Sequence, residues 1–124
     1  MGQKKILLVD DSKTTLMMEL MILQDEPYEF YTAATGCDAI DKAITHQPDL
    51  ILLDVILADG VSGIDTCRLL RNEEATRTTP IVMVTSRATE EEIEEGYAAG
   101  CTSYLTKPID DRELLHKVKE ILDD

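Results

Sequence analysis

Short apolar runs alternate with segments of helical periodicity along the whole chain. Such runs are typical of strands that are covered on both faces of a sheet. The predicted strands are KILLVDD (5–11), EFYTA (29–33), DLILLD (49–54), PIVMVTS (80–86) and CTSYLT (101–106). The run at 29–33 is predicted to be a weaker strand than the first.

A helix is predicted after each of these strands. The predicted helices are Lys13–Gln24, Gly36–His46, Ile64–Arg71, Thr89–Tyr97, and Asp110 to about Leu122. Ser12 and Asp110 are residues of the type that caps a helix N-terminus. In the first helix the leucines fall on one side, and the methionines are interpreted as packing residues. These are Leu16, Leu20 and Leu23, and Met17, Met18 and Met21.

Five consecutive strand–helix units predict an α/β fold, in which a parallel sheet carries helices on both faces. The composition does not change along residues 1–124, so we expect a single domain. In such sheets, ligands bind beyond the carboxyl ends of the strands. The residues at those ends are therefore the candidates for a functional site.

Charge and composition narrow the classes of partner. The 124-residue chain carries a formal net charge of -13, which disfavours direct binding to nucleic acid or to an anionic membrane. No apolar run is long enough to span a bilayer, and no secretion signal is evident, so a cytoplasmic location is expected. The three cysteines, Cys37, Cys67 and Cys101, have no metal-ligand spacing and are interpreted as small buried residues.

Polar and charged side chains stand at the carboxyl ends of four predicted strands. They are Asp10 and Asp11, Asp54, Thr85, and Lys107. Carboxylates that lie close together repel one another, and a bound divalent cation removes that repulsion. A site that offers oxygen ligands, without histidine or cysteine, favours a hard ion such as Mg2+.

A metal site alone leaves Lys107 and Thr85 without a role. A phosphoryl group on Asp54 would account for both, because its oxygens could be shared by the cation, the ammonium and the hydroxyl. Asp54 is then a nucleophile that forms an aspartyl phosphate.

The same residues resemble those of the response-regulator receiver domains of two-component signalling. The matching pieces are LLVDDS (7–12), DLILLD (49–54), PIVMVTS (80–86) and YLTKP (104–108), and the resemblance covers essentially the whole chain. It implies a doubly wound, flavodoxin-like sheet with strand order 2-1-3-4-5 and five helices. It also implies a signalling domain that promotes its own phosphorylation and dephosphorylation, rather than a separate enzyme.

The resemblance implies a role for each residue of the pocket. Asp54 would be the phosphoacceptor and a ligand of Mg2+, Asp11 would bind the ion directly, and Asp10 would act mainly through water. The backbone carbonyl of Ile56 would complete the metal shell, and Lys107 would pair with the phosphoryl group. No other cofactor is expected.

A second group of residues would transmit the conformational change that phosphorylation causes. Thr85 would be the switch hydroxyl and Tyr104 the switch aromatic, although a half-buried strand tyrosine is also a common structural residue. The surface formed by the fourth helix, fifth strand and fifth helix would then alter. Ile56 and Arg87 would lie near the attacking water, and the Lys107–Pro108 bond would be cis.

The implied partners are a histidine kinase or phosphotransfer protein, which donates the phosphoryl group, and an unidentified effector domain or protein. The sequence does not show whether the effector is joined to this chain. One departure concerns residues 57–63, where the Met-Pro pair common in the family is absent and Gly63 comes one residue late. We expect an insertion in this loop.

Three other classes of protein fit these residues less well. A nucleotide- or flavin-binding module would need a phosphate loop, and the turn DDSKTT has none of the known patterns. A pseudo-receiver would not be phosphorylated, and the acid pocket argues against it. An aspartyl phosphatase would carry a second acid two residues after Asp54, where Ile56 stands.

Overall fold

The computed structural model describes residues 3–57, 61–86 and 89–123. In this part of the chain the strands are β1 (Lys4–Val9), β2 (Tyr28–Ala33), β3 (Leu50–Asp54), β4 (Ile81–Thr85) and β5 (Ser103–Thr106). The helices are α1 (Lys13–Leu23), α2 (Gly36–His46), α3 (Gly63–Asn72), α4 (Glu90–Ala99) and α5 (Asp111–Leu122), with a 3-10 turn at Glu74–Thr76.

The strands form one parallel sheet in the order β2-β1-β3-β4-β5, so the predicted doubly wound topology is confirmed. Most boundaries agree with the sequence to within two residues. The fourth helix runs on to Ala99, because Gly100 ends it with a left-handed conformation (φ 107°) that suits glycine. The short 3-10 turn was not predicted.

Each face of the sheet has its own aliphatic core, because side chains alternate along a strand. The face covered by α1 and α5 buries residues from five strands and both helices, among them Ile6, Leu8, Leu52, Val84, Leu105 and Leu114. The face covered by α2, α3 and α4 buries the alternate set, among them Leu7, Val9, Leu53, Met83, Cys67 and Ala99. Alternation therefore decides on which face each strand-end side chain emerges.

Side-chain caps fix the starts of the helices that border the sheet edge. Ser12 accepts a hydrogen bond from the Thr15 N–H (3.2 Å), and Asp110 accepts from the N–H groups of Arg112 and Glu113. Both residues are the caps expected from the sequence. Capping satisfies amides of the first turn, which have no partner within the helix.

The first turn of α3 rests directly on the end of β3. The Gly63 N–H donates to the Val55 carbonyl at 2.7 Å, and a Cβ at position 63 would lie 2.0 Å from the Asp54 carbonyl oxygen. Only glycine allows this approach without moving the backbone. Residues 58–60 of the predicted insertion lie outside the described residues, so the insertion remains a prediction.

Two interpretations of individual side chains were wrong. The methionines of α1 do not pack into the core, because Met17 and Met21 are 62% and 64% exposed. Cys37 is exposed, whereas Cys67 and Cys101 are buried as expected. Among the described residues, no helix combines the length and apolarity required to span a membrane.

Candidate functional site

The end of β1 and the end of β3 place two aspartates side by side. Val9 pairs with Leu53 in the sheet, so the next residues, Asp10 and Asp54, are neighbours at its carboxyl edge. Both side chains emerge on the face covered by α1 and α5, and both residues are buried, at 1% and 6% exposure. Two buried carboxylates so placed repel each other unless a positive charge lies between them.

Lys107 supplies that positive charge. Its Nζ donates to Asp10 Oδ2 at 3.0 Å and lies 3.5 Å from Asp54 Oδ2. The residue is held where β5 ends, because its backbone N–H donates to the Thr85 carbonyl at 2.8 Å. The following bond to Pro108 is cis, as expected.

Three aspartates converge closely enough to share one cation. One carboxylate oxygen from each of Asp10, Asp11 and Asp54 lies within 4.8 Å of the other two, and Asp11 is the exposed member. The donors are all oxygen, which matches the preference of Mg2+, and an open side leaves room for waters. The chemistry of the donor set therefore fits the expected ion.

Backbone amides orient two of these carboxylates. Ser12 N–H donates to Asp10 Oδ1 at 2.9 Å, and Ile56 N–H lies 3.5 Å from Asp54 Oδ1. Ile56 itself is 51% exposed beside Asp54. Its carbonyl remains a predicted metal ligand.

Burial, followed by repulsion from Asp10, raises the pKa of Asp54 to about 6, although Lys107 and the Ile56 amide oppose the shift. Burial alone would lower the pKa of Lys107. The hydrogen bond to Asp10 and the charges of Asp54 and Asp10 outweigh it and raise that pKa. At neutral pH the lysine is thus charged and Asp54 is mainly ionised, which a nucleophilic carboxylate requires.

The two predicted switch residues lie toward the opposite core. Thr85 is buried and follows Ile81 and Met83 in the alternation of β4, so it emerges on the face of α3 and α4. Tyr104 packs against the same core, and its Oη donates to the Glu92 carbonyl at 2.8 Å. Burial raises the pKa of this phenol to about 12, so it stays neutral and donates.

Gly96 makes room for the tyrosine ring. A Cβ at position 96 would lie 2.2 Å from the Tyr104 Oη. The ring thus occupies a defined place along α4, although its switch role remains a prediction.

The structure brings together Asp10, Asp11, Asp54 and Lys107 on one side of the sheet edge. It places Thr85 and Tyr104 on the other, and Arg87 lies outside the described residues. Glu19, which is buried on the inner face of α1, was not predicted from the sequence. Its position among Leu16, Leu20 and Leu23, on the apolar stripe, was the signal that could have revealed it.

Comparison with known proteins identifies the family. The profile of the response regulator receiver domain matches residues 6–119. The chain belongs to this family. It is accordingly a receiver domain of two-component signalling.

Individual relatives agree with this assignment. The chain is 38% identical to the transcriptional regulatory protein ResD of Bacillus subtilis over 98% of its length and 49% of ResD. It spans about half the length of the curated relatives it matches. The chemotaxis protein CheY4 of Vibrio cholerae is 35% identical with a TM-score of 0.91, and the match covers 98% of this chain and 100% of CheY4.

A further structural relative contains a metal. The receiver domain of the sensor histidine kinase PA1611 of Pseudomonas aeruginosa has a magnesium ion coordinated in its active site cleft. It is 28% identical to this chain with a TM-score of 0.89, and the match covers 99% of this chain and 100% of that one.

The raised pKa of Asp54 predicts that Asp54→Asn stabilises the metal-free receiver domain. The pKa of about 6 in the folded state exceeds the ordinary value of 3.8, so the free energy of unfolding falls as pH rises between these two values. At pH 8 the variant should gain about 1–2 kcal/mol, since one pKa unit corresponds to about 1.4 kcal/mol and the amide weakens the Lys107 contact. Near pH 4 the gain should vanish.

Urea denaturation at both pH values, without divalent cations, measures this difference. Asp41→Asn, at an exposed position on α2, is the control and should change little. Equal unfolding free energies of Asp54→Asn and wild type at pH 8 would show that Asp54 carries no electrostatic strain.

Proposed function

We propose that this receiver domain accepts a phosphoryl group on Asp54 from the phosphohistidine of a histidine kinase or phosphotransfer protein, with Mg2+ bound. The observation that carries the proposal is the contact of Lys107 with two buried carboxylates that converge with Asp11. A cation is needed to bring a phosphoryl anion into a pocket that is otherwise negative.

The transfer requires an ionised acceptor and compensation of charge. An Asp54 carboxylate oxygen attacks phosphorus, the P–N bond to the donor histidine breaks, and its electron pair returns to the imidazole nitrogen. Lys107 neutralises charge on the phosphoryl oxygens and replaces its contact with the free carboxylate by one with them. Hydrolysis of the acyl phosphate later returns Asp54 to its free form.

Mg2+ would be held by Asp11, Asp54 and the Ile56 carbonyl, with Asp10 contributing through water. When bound, it supplies a Lewis acid that offsets charge on the oxygens of the transferring group. Ile56 is exposed beside Asp54 and is proposed to tune the lifetime of the phosphorylated state. Arg87 is proposed to share this role.

The output is proposed to be a shift between two packings of the face made by α4, β5 and α5. The Thr85 hydroxyl moves toward the phosphoryl oxygens and leaves space beneath α4. Tyr104 follows, because its ring packs on that core and its hydroxyl bonds to α4. The altered face then engages an effector.

The comparisons leave the nature of this effector open. ResD is a transcriptional regulator of about twice the matched length, whereas the CheY4 match covers that whole chain. A linked effector domain and a separate effector protein are both compatible with the fold. The acidic charge of -13 favours a protein surface as the direct target rather than DNA.

Phosphorylation is tested directly by intact-mass analysis. Incubation with acetyl phosphate and Mg2+ should add the mass of one phosphoryl group to the wild-type chain and nothing to Asp54→Asn. Asp41→Asn should be labelled like wild type. An unlabelled wild-type chain would indicate a pseudo-receiver, and a labelled Asp54→Asn would place the acceptor elsewhere.

Mg2+ should raise the melting temperature, because a ligand that binds only the folded state stabilises it by mass action. At ten times the dissociation constant the gain is about 1.4 kcal/mol, which corresponds to a few degrees. Asp11→Asn removes one of the three converging carboxylates and should blunt the shift. Asp25→Asn, in an exposed turn, should not. An unchanged melting temperature of wild type in millimolar Mg2+ would contradict the metal site.

Thr85→Ala should separate phosphorylation from output. Lys107 and the three aspartates remain, so labelling with acetyl phosphate should stay close to wild type. The NMR chemical-shift changes that phosphorylation causes in α4 and β5 should shrink, because no hydroxyl draws the core toward the phosphoryl group. Thr85→Ser, which retains the hydroxyl, is the matched control. Full shift changes in Thr85→Ala would refute the proposed coupling.

A further inference from the structure

A fourth carboxyl group lies on the side of the sheet that carries the acid pocket. Glu19 is 2% exposed, and it shares with Leu23 the most deeply buried positions of α1. Within the described part of the chain, its Oε1 is the one buried side-chain oxygen or nitrogen without a hydrogen-bond partner. An ionised carboxylate in such a place is costly, so it needs either a proton or a positive charge nearby.

Alternation along the strands explains why this carboxyl faces the pocket. Ile6 and Leu8 emerge beneath α1 and α5, and Asp10 continues the same series at the end of β1. Asp54 and Lys107 continue the corresponding series of β3 and β5. Glu19 projects from the inner face of α1 onto this side of the sheet. It does not belong to the set of three aspartates whose oxygens converge.

Three ionised groups act on Glu19. Asp10 after β1 and Asp54 on β3 repel its charge, and Lys107 after β5 attracts it. The charged residues Asp111 and Arg112 of α5 border a groove beside Met21, which is on the exposed side of α1. Tyr28 on β2, which lines a groove beside Leu20 of α1, has its pKa raised to about 12 by burial and is neutral, so it adds no charge.

Burial, followed by repulsion from Asp10, raises the pKa of Glu19 to about 8. In the absence of a divalent cation the three aspartates outnumber the single lysine, and a fourth negative charge is disfavoured. Binding of a divalent cation reverses this balance, because its charge compensates the aspartates and leaves Lys107 to favour an ionised neighbour.

We propose that Glu19 is a positioning residue of the phosphoacceptor pocket, which holds a proton in the cation-free state and releases it to solvent when a divalent cation binds. The bond broken is the carboxyl O–H, and buffer or water takes the proton. The resulting carboxylate adds a negative charge to the pocket. It attracts Lys107 while the aspartates bind the cation. This inference rests on the proposed Mg2+ site.

Calorimetric titration of Mg2+ into the 124-residue chain tests the proton balance. At pH 7, measurements in two buffers of different ionisation enthalpy give the number of protons released per cation. Asp54 is mainly ionised at this pH, so release from wild type should come chiefly from Glu19. The isosteric, uncharged variant Glu19→Gln should release far fewer protons. Glu120→Gln, at an exposed position on α5, should behave like wild type.

The pH profile of affinity gives a second measure. Between pH 7 and pH 9 the Mg2+ dissociation constant of wild type should fall by up to about tenfold in total, because a group with a pKa of about 8 passes from mostly protonated to mostly ionised over this range. The Glu19→Gln profile should stay flat over this range. If Glu19 only filled space, the Mg2+ dissociation constants of wild type and of Glu19→Gln would depend on pH in the same way.

Carbon-13 NMR of the glutamate carboxyls follows Glu19 in the wild-type chain, so the test does not depend on a variant that folds. Its resonance should titrate above the ordinary glutamate range without Mg2+ and at lower pH with saturating Mg2+. An ordinary midpoint, or a midpoint that Mg2+ does not move, would overturn the role of Glu19. If Mg2+ binds and Asp54 is phosphorylated in that case, the proposed function stands. If wild type binds no Mg2+, both are overturned.

Discussion

The contact of one ammonium group with two buried carboxylates determines the arrangement of the sheet edge. Parallel pairing of β1 with β3 brings Asp10 and Asp54 side by side, where their charges repel. Lys107 Nζ lies 3.0 Å from one and 3.5 Å from the other, and it compensates part of that repulsion. The remaining negative charge favours a cation in the pocket, and burial together with repulsion from Asp10 keeps the pKa of Asp54 above its ordinary value.

Local pattern was enough to predict the architecture. Five apolar runs, each followed by a helical segment, imply a parallel sheet. Because the carboxyl ends of parallel strands lie at one edge, the acidic and basic residues that follow these strands are expected together there. The convergence of Asp10, Asp11, Asp54 and Lys107 followed from topology alone. Strand order depended on the resemblance to receiver domains, because short apolar strands do not by themselves specify their neighbours.

The errors arose where residue type and position disagree. Met17 and Met21 are apolar but stand on the outer side of α1, and the leucine stripe already predicted which side is inner. Glu19 is charged by type but stands on the inner side, so an interpretation from residue type missed it. In both cases helical periodicity predicted burial better than residue type did, because the position of a residue on the helix decides whether its side chain faces the sheet. Residues 58–60 have no such periodicity, and the predicted insertion remains open.

The alternation of side chains also separates the proposed phosphoryl site from the proposed switch residues. Asp10, Asp54 and Lys107 emerge on the face of α1 and α5, whereas Thr85 emerges on the face of α3 and α4. A phosphoryl group on Asp54, as proposed, would therefore affect the second core only around the carboxyl edge of the sheet. The hydrogen bond from the Lys107 N–H to the Thr85 carbonyl joins the two sides there at 2.8 Å. A signal that crosses at this point depends on backbone contacts as well as on the threonine hydroxyl, so side-chain substitution at position 85 should not remove all structural communication between the faces.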